Sequence, residues 1–254
     1  MRLASALAAD EGQCVAVVGA GGKKTTLYLL GSLLDRAVVT ATVRIPIFDD
    51  QVARVVVTAD PVGALADVDV DVDDADDAEE RWPLGLVPER DRADRYRGYD
   101  PAVVDDLAAA HDGPLLVKAD GARNRLLKAP SDREPQVPTS ADTVLPIASA
   151  RAVGKPLTDE WVHHPERVAA VTGLDVGDEI DAEAVGRLLA SPDGGLKDLP
   201  DGAQVVAVVN MVDDETHRAA GERAAAAALA HTDRIDRVVL TRLIDPDPVV
   251  DVFA

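Results

Sequence analysis

The chain has a single cysteine, Cys14, so no disulfide can close within it and no cysteine-based metal cluster can be built. Aromatic residues make up only 3% of its 254 positions, and its core must therefore be assembled mainly from Val, Ala and Leu, within a hydrophobic content of 47%. Long apolar runs are missing as well. None approaches the roughly 18 residues that span a bilayer, and the opening MRLASALAADEG turns acidic too early for a secretion signal. A water-soluble, cytoplasmic protein with no membrane partner is expected, with Cys14 a small buried hydrophobe at the start of the first strand.

Lysine is scarce too: six residues, against 20 Arg, 35 Asp and 11 Glu, leave a formal net charge of −20. An Asp excess with so few lysines suits a protein working in concentrated salt, where a Debye length of about 3 Å at 1 M silences self-repulsion. A halophilic source is the reading, with a generic acidic protein as the alternative. Either way the overall field repels nucleic acid and anionic membrane, so an anionic ligand needs a local cationic site. Four of the six lysines lie in two short segments, GAGGKKTT with Lys23 and Lys24, and KADGARNRLLK with Lys118 and Lys128. Arg123 and Arg125 add to the second. These two islands either pair with nearby acids or converge on one phosphate-bearing ligand.

Along the chain, apolar strand-like runs alternate with helical spacing. Residues 14–19, 37–43, 54–59, 114–119, 143–149, 203–210 and 237–241 read as strands. Residues 25–35, 101–111, 165–173, 181–190 and 214–230 read as helices. This alternation predicts one α/β domain over 1–254 with a doubly wound, mostly parallel sheet; the loop GAGGKKTT after its first strand makes it resemble P-loop NTPases and a nucleotide-binding domain. A small loop-rich helical lobe is expected at about 150–200. The stretch DVDVDVDDADDAEE, residues 67–80, reads as a solvated loop, an edge strand or, less simply, a metal-binding carboxylate cluster.

The chemistry concentrates in three places. In VVGAGGKKTTLYLL, glycines after a buried strand turn backbone N–H groups toward an anion and the following helix adds its dipole. Gly19, Gly21 and Gly22 would make the turn, Lys23 or Lys24 would contact phosphate, and Thr25 or Thr26 would reach Mg²⁺. The spacing departs from GxxxxGK[ST], because a valine stands where the first glycine belongs. Reading back from the threonines makes Lys24 the phosphate lysine. A dinucleotide fingerprint is disfavoured, since its third glycine would fall at Lys24. In GPLLVKADGARNRLLKAP, an apolar strand leads to Asp120, placed to hold metal, while Lys118, Arg123, Arg125 and Lys128 surround phosphate or a second anionic substrate; a Lys118–Asp120 ion pair is the simpler reading. In VVAVVNMVDDE, Asn210 and Asp213 resemble the base-reading Asn-Lys-x-Asp of guanine-nucleotide proteins with Met211 in place of lysine, although a helix cap by Asp213 or Asp214 explains them as well. Thr40 and Thr42 end the second strand near the loop, Thr42 being a further metal candidate. The His163–His164 pair reads as partly exposed polar residues or as a proton or metal site.

Taken together, VVGAGGKKTTL, VTATVRIP, KADGARNRLLKAPSDREPQVP, ASARAVGKPLTDEWVHHPERV and VVNMVD resemble the YqeC family, accessory proteins associated with selenium-dependent molybdenum hydroxylases. The likeness covers most of residues 14–215 and is weakest over 60–112. Its most specific part is Lys118-Ala119-Asp120-Gly121, Lys128-Ala129-Pro130 and Glu134-Pro135, with Lys118 standing where family members carry an acid. The resemblance implies a P-loop-like protein binding ATP or GTP with Mg²⁺, a slow NTPase with Lys24, Asp120 and Lys118 at its centre. Its partners would be a molybdenum hydroxylase or the proteins that mature its cofactor. A small-molecule kinase or NTP-dependent ligase, and a non-catalytic nucleotide-switched delivery module, are the alternatives.

Overall fold

A computed structural model describes residues 2–9, 13–70 and 81–254. After a short helix α1 (Leu3–Ala6), strand β1 (Cys14–Gly19) runs straight into α2 (Lys23–Leu33) and then β2 (Val38–Ala41). The strand CVAVVG forms where alternate residues can be buried on both faces, as valine runs in parallel sheets are. β3 (Ile45–Pro46), β4 (Arg54–Val57), α3 (Pro61–Val70), β5 (Leu84–Val87), β6 (Arg90–Arg92) and β7 (Arg95–Tyr96) follow. Next come α4 (Pro101–Ala110), β8 (Leu115–Lys118), β9 (Leu127–Lys128), β10 (Thr143–Ser149) and β11 (Val162–His163). The chain ends with α5 (Pro165–Thr172), α6 (Ala182–Leu189), β12 (Gln204–Asn210), α7 (Glu215–His231), β13 (Arg237–Thr241) and β14 (Val249–Phe253).

Nine strands make one sheet in the order β14-β13-β12-β10-β1-β8-β2-β5-β4. Every neighbouring pair is parallel except β13 and β14. Val15, Val17, Leu116, Leu145 and Ile147 face one side and pack on Leu27 and Leu30 of α2 and Leu3 of α1. Cys14, Ala16, Val18, Leu115 and Val144 face the other side and meet Leu65 of α3 and Val104 and Leu107 of α4. Farther along that second face, Val205, Ala207 and Val238 meet Val185 and Leu188 of α6 and Ala224, Ala225 and Ala228 of α7. Helices therefore cover both faces, the doubly wound α/β arrangement. Apolar residues of 150–200, among them Leu157, Val162, Val168 and Ile180, join the same cluster as β12 and β13, so this lobe shares the core of the sheet.

Asp100, Asp181 and Asp214 cap α4, α6 and α7 through their side chains, with Pro101 at the start of α4. Of the two aspartates before α7, the cap is Asp214. Helix α2 begins two residues earlier than its apolar spacing suggests, which places Lys23 and Lys24 in its first turn. Residues 67–70 end α3 instead of forming a loop or edge strand; residues 71–80 of that acidic stretch lie outside the described residues. No helix among the described residues is long and apolar enough to cross a membrane.

The order of the strands fixes where a ligand can sit. From β1 the chain crosses to β2, with β8 between them, whereas β10, β12 and β13 build outward on the other side. β1 is thus the switch point, and the crevice past its carboxyl end is where open α/β sheets bind ligands. Two small sheets frame that edge: β3-β7-β6, antiparallel, and β9 with β11, parallel.

Close helix packing on the far side depends on Gly186. A Cβ there would come within 2.4 Å of the Ala224 carbonyl oxygen and 2.6 Å of Ala227 Cβ. Gly186→Ala is expected to cost about 1–3 kcal/mol despite alanine's helix propensity, because a backbone oxygen cannot rotate away. Gly202→Ala, where a Cβ meets nothing within 4 Å, should stay within about 0.5 kcal/mol of the wild type. Urea midpoints read both; equal midpoints for the two variants would remove the packing explanation.

Candidate functional site

At the switch point the loop after β1 is held by the protein on every side. Gly19 sits at φ +88°, and a Cβ on it would lie 2.2 Å from the Ile147 carbonyl oxygen, so only glycine fits. Its N–H donates to Asp120 Oδ2 at 2.8 Å, the Ala20 N–H to Ile147 O at 2.8 Å, and the Gly21 N–H to Arg125 O at 3.0 Å. The first bond back into helix α2 is from the Thr26 N–H to Gly22 O at 3.0 Å. The N–H groups of Lys23, Lys24 and Thr25 precede that ladder, at the positive end of the helix dipole.

Beneath the loop lies a buried ionic cluster. Asp120, 2% exposed, faces Lys23 Nζ at 2.8 Å through Oδ1 and Lys128 Nζ at 3.0 Å through Oδ2. The contact at Oδ1 is an ion pair outside hydrogen-bonding angles. Lys23 also donates to the Gly19 carbonyl, and Lys128 donates to the Gly121 carbonyl and to Glu134, whose Oε1 accepts from the Gly121 N–H at 3.0 Å. Burial alone would raise the Asp120 pKa, but the two lysines and the Gly19 N–H hold it below the ordinary carboxylate range. Burial likewise pushes Lys23 below the usual lysine value, with Asp120 pulling it back.

Above the cluster opens a cavity of about 730 Å³. Its lining includes Lys23, Lys24, Arg44, Arg92, Arg95, Lys118, Arg123 and Arg125, against one carboxylate, Glu134. Gly21, Gly22, Thr25, Met211 and the stacked rings of His163 and His164, 4.0 Å apart, complete the wall. Lys24 is half-buried, and its pKa falls through burial and then through Arg95. Arg123 and Asn124 both hold left-handed backbone, at φ +47° and +59°, which presents this basic loop to the cavity. Burial, followed by His164, Lys128 and Arg123, lowers His163 to about 4, so its ring is neutral at pH 7.

Of the residues singled out in the sequence, Gly21, Gly22, Lys23, Lys24, Thr25, Lys118, Arg123 and Arg125 line this cavity. Gly19, Thr26, Asp120, Lys128, Asn210, Asp213 and Thr42 do not. Thr26 is buried and donates to Gly22 O. Thr42 donates to Gln136 O at 2.6 Å, and Thr40 to Leu86 O at 2.8 Å. Asn210 donates from Nδ2 to Gly21 O at 2.9 Å and accepts from Thr241, so it braces the loop. Asp213 is paired with Arg151. Lys118 bonds the main-chain oxygen of Asp120 at 2.7 Å, and the carboxylate turns to Lys23 and Lys128 instead.

A magnesium ion finds no ready donor set here. Both oxygens of Asp120 face lysines, Glu134 is engaged by Lys128 and Gly121, and the Thr42 hydroxyl is taken. Among the described residues no group of three or more His, Cys, Asp and Glu could hold a metal. Thr25, exposed at the cavity, is the one proposed metal ligand whose hydroxyl has no recorded partner.

The loop, the Asp120 cluster, the basic lip and the histidine pair all fall within residues 15–166, the span over which the YqeC protein family model matches. The chain belongs to the YqeC family. The uncharacterised protein YqeC of Escherichia coli (strain K12) is 28% identical over 203 residues, covering 77% of this chain and 75% of that protein. No solved structure matches. In this YqeC family chain, Arg44, Arg92 and Arg95 are the site residues that sequence reasoning missed. The signal was present as ERDRADRYR, residues 89–97, an arginine-rich run in a chain otherwise rich in acid.

The Asp120 cluster gives a test of its own. Asp120→Asn leaves Lys23 without a counter-charge and should destabilise by about 3–5 kcal/mol in urea unfolding at pH 7. Because the folded-state pKa of Asp120 is depressed, its contribution is present above the unfolded value of about 3.9 and lost as pH falls through the folded value. The gap between wild type and variant should therefore close in acid; a gap independent of pH would show that the carboxylate charge is not responsible.

Proposed function

We propose that the cavity binds a nucleoside triphosphate, with the phosphates against α2 and the basic lip. The observation that carries this reading is the lining itself: Lys24 and five arginines above Lys23 and Lys118, which protein groups engage at the base, and one carboxylate, in a chain of net charge −20, beside a glycine loop that opens a helix. Lys24 and the first N–H groups of α2 would take the terminal phosphates, and Arg123 and Arg125 would close on them from the other loop. Phosphoryl transfer relies mostly on positioning and charge neutralisation, which a site of this composition supplies. On this reading the fold acts as a P-loop-like NTPase of slow turnover. The family resemblance supports a role in maturing molybdenum or selenium hydroxylases.

Where a magnesium ion accompanies the nucleotide, Thr25 and the phosphate oxygens would hold it, since Asp120 and Thr42 are already engaged. The choice between ATP and GTP falls to the Met211 side of the cavity, because Asn210 and Asp213 are turned away from it. A second reading, transfer to a small anionic acceptor, is favoured by Arg44, Arg92 and Arg95, which bring charge from outside the loop.

Purified protein in concentrated KCl should melt at higher temperature with ATP or GTP, and titration calorimetry should follow the same order. Lys24→Ala is expected to weaken binding about 10- to 100-fold, the equivalent of one charge-assisted contact of roughly 1.5–3 kcal/mol. Repeating the titration in EDTA reads the metal contribution separately. A chain that shows no shift with any triphosphate, or whose Lys24→Ala variant keeps the full shift, would sink the proposal.

A further inference from the structure

Lys118 ends β8 only 5% exposed, yet it reaches the cavity wall. Its Nζ donates to the main-chain oxygens of Arg44 at 2.9 Å and Asp120 at 2.7 Å. Unlike Lys23 and Lys128, it forms no ion pair with a carboxylate among the described residues. The charged groups around it are Lys23 of α2, Lys128 of β9, and Asp120 and Glu134 in the turns between. Burial first, then Lys23, bring its pKa down to about 7, against the pull of Asp120 and Glu134. A desolvated lysine beside other cations is the arrangement that turns an ammonium into a nucleophile. A neutral amine has two N–H groups and one lone pair. The two carbonyl oxygens occupy both N–H groups, which leaves the lone pair as the remaining valence of Nζ.

We infer that Lys118 is the amine nucleophile of this cavity, forming an imine with a small aldehyde or ketone whose phosphate group is held by Lys24, Arg123 and Arg125. The Nζ lone pair attacks the carbonyl carbon and a C–N bond forms. One of the two N–H protons moves to the carbonyl oxygen to give the carbinolamine, and a second proton, taken from solvent, lets that oxygen leave as water as its C–O bond breaks. One water leaves, the imine nitrogen keeps a proton, and no oxidant or reductant is required. This inference does not rest on nucleotide binding, and a chain that binds no triphosphate is expected to react all the same.

The test uses the whole chain with pyridoxal 5′-phosphate, and in a second arm glyceraldehyde 3-phosphate, each trapped by cyanoborohydride and located by peptide mass mapping. One adduct per chain is expected, on Lys118, with incorporation rising through about pH 7. Pyridoxal without its phosphate should label at least about 10-fold more slowly, the equivalent of one lost charge-assisted contact. Lys118→Met should abolish the cavity adduct; if that variant does not fold, the wild-type map still decides. Adducts on Lys24 or on half-buried Lys155 with Lys118 unmodified would overturn the inference. So would equal labelling by pyridoxal, or incorporation at Lys118 that rises only in the ordinary lysine range.

Discussion

The carboxylate of Asp120 is the interaction on which the site depends. It joins residues about a hundred positions apart: the Gly19 N–H at the end of β1, Lys23 in the first turn of α2, and Lys128 on β9. With Glu134, the cluster holds two lysines and two carboxylates, a set that is neutral as a whole. Neutrality matters because an isolated buried charge is far more costly than a paired one. Such a cluster is weak evidence for stability, since an apolar replacement can serve as well. Its effect is geometric: it fixes the glycine loop against the basic lip.

From that geometry the lysines divide into two kinds. Lys23 and Lys24 are adjacent in sequence, but successive residues of a helix point about 100° apart. One turns under the loop to Asp120 and the other toward the cavity. Lys118 and Asp120 would share a face if β8 continued, and an ion pair would follow. The strand ends at Lys118, however, so the side chains diverge and Lys118 meets only main-chain oxygens. Lys23, the first lysine of the loop, therefore anchors the turn.

How much of this was legible follows from what each feature rests on. The long strands announced themselves as valine runs because burial on both faces demands it, and α4, α6 and α7 carried their capping aspartates in plain sight. The strand Leu84–Val87 and the sheet of β3, β6 and β7 left no comparable mark, since pieces of two to four residues hold no period and depend on their neighbours. Arg92 and Arg95 were hidden with them. The two basic islands were legible as islands. That Lys23 and Lys128, one from each island, would both pair with Asp120 was not, because the pairing is decided by strand order and not by spacing.

The basic lip of the cavity is balanced by pairs of a different kind. Its arginines from the small sheet lean on acids at the rim: Arg44 and Arg92 on Asp91, and Arg95 on Asp94. These three arginines are 41% to 65% exposed, so their pairs are solvated and contribute little to stability. The Asp120 pairs are of the opposite kind, buried and joined to backbone groups. Solvated pairs at the rim and buried pairs at the base together give the site a charged lip over a rigid, neutral floor.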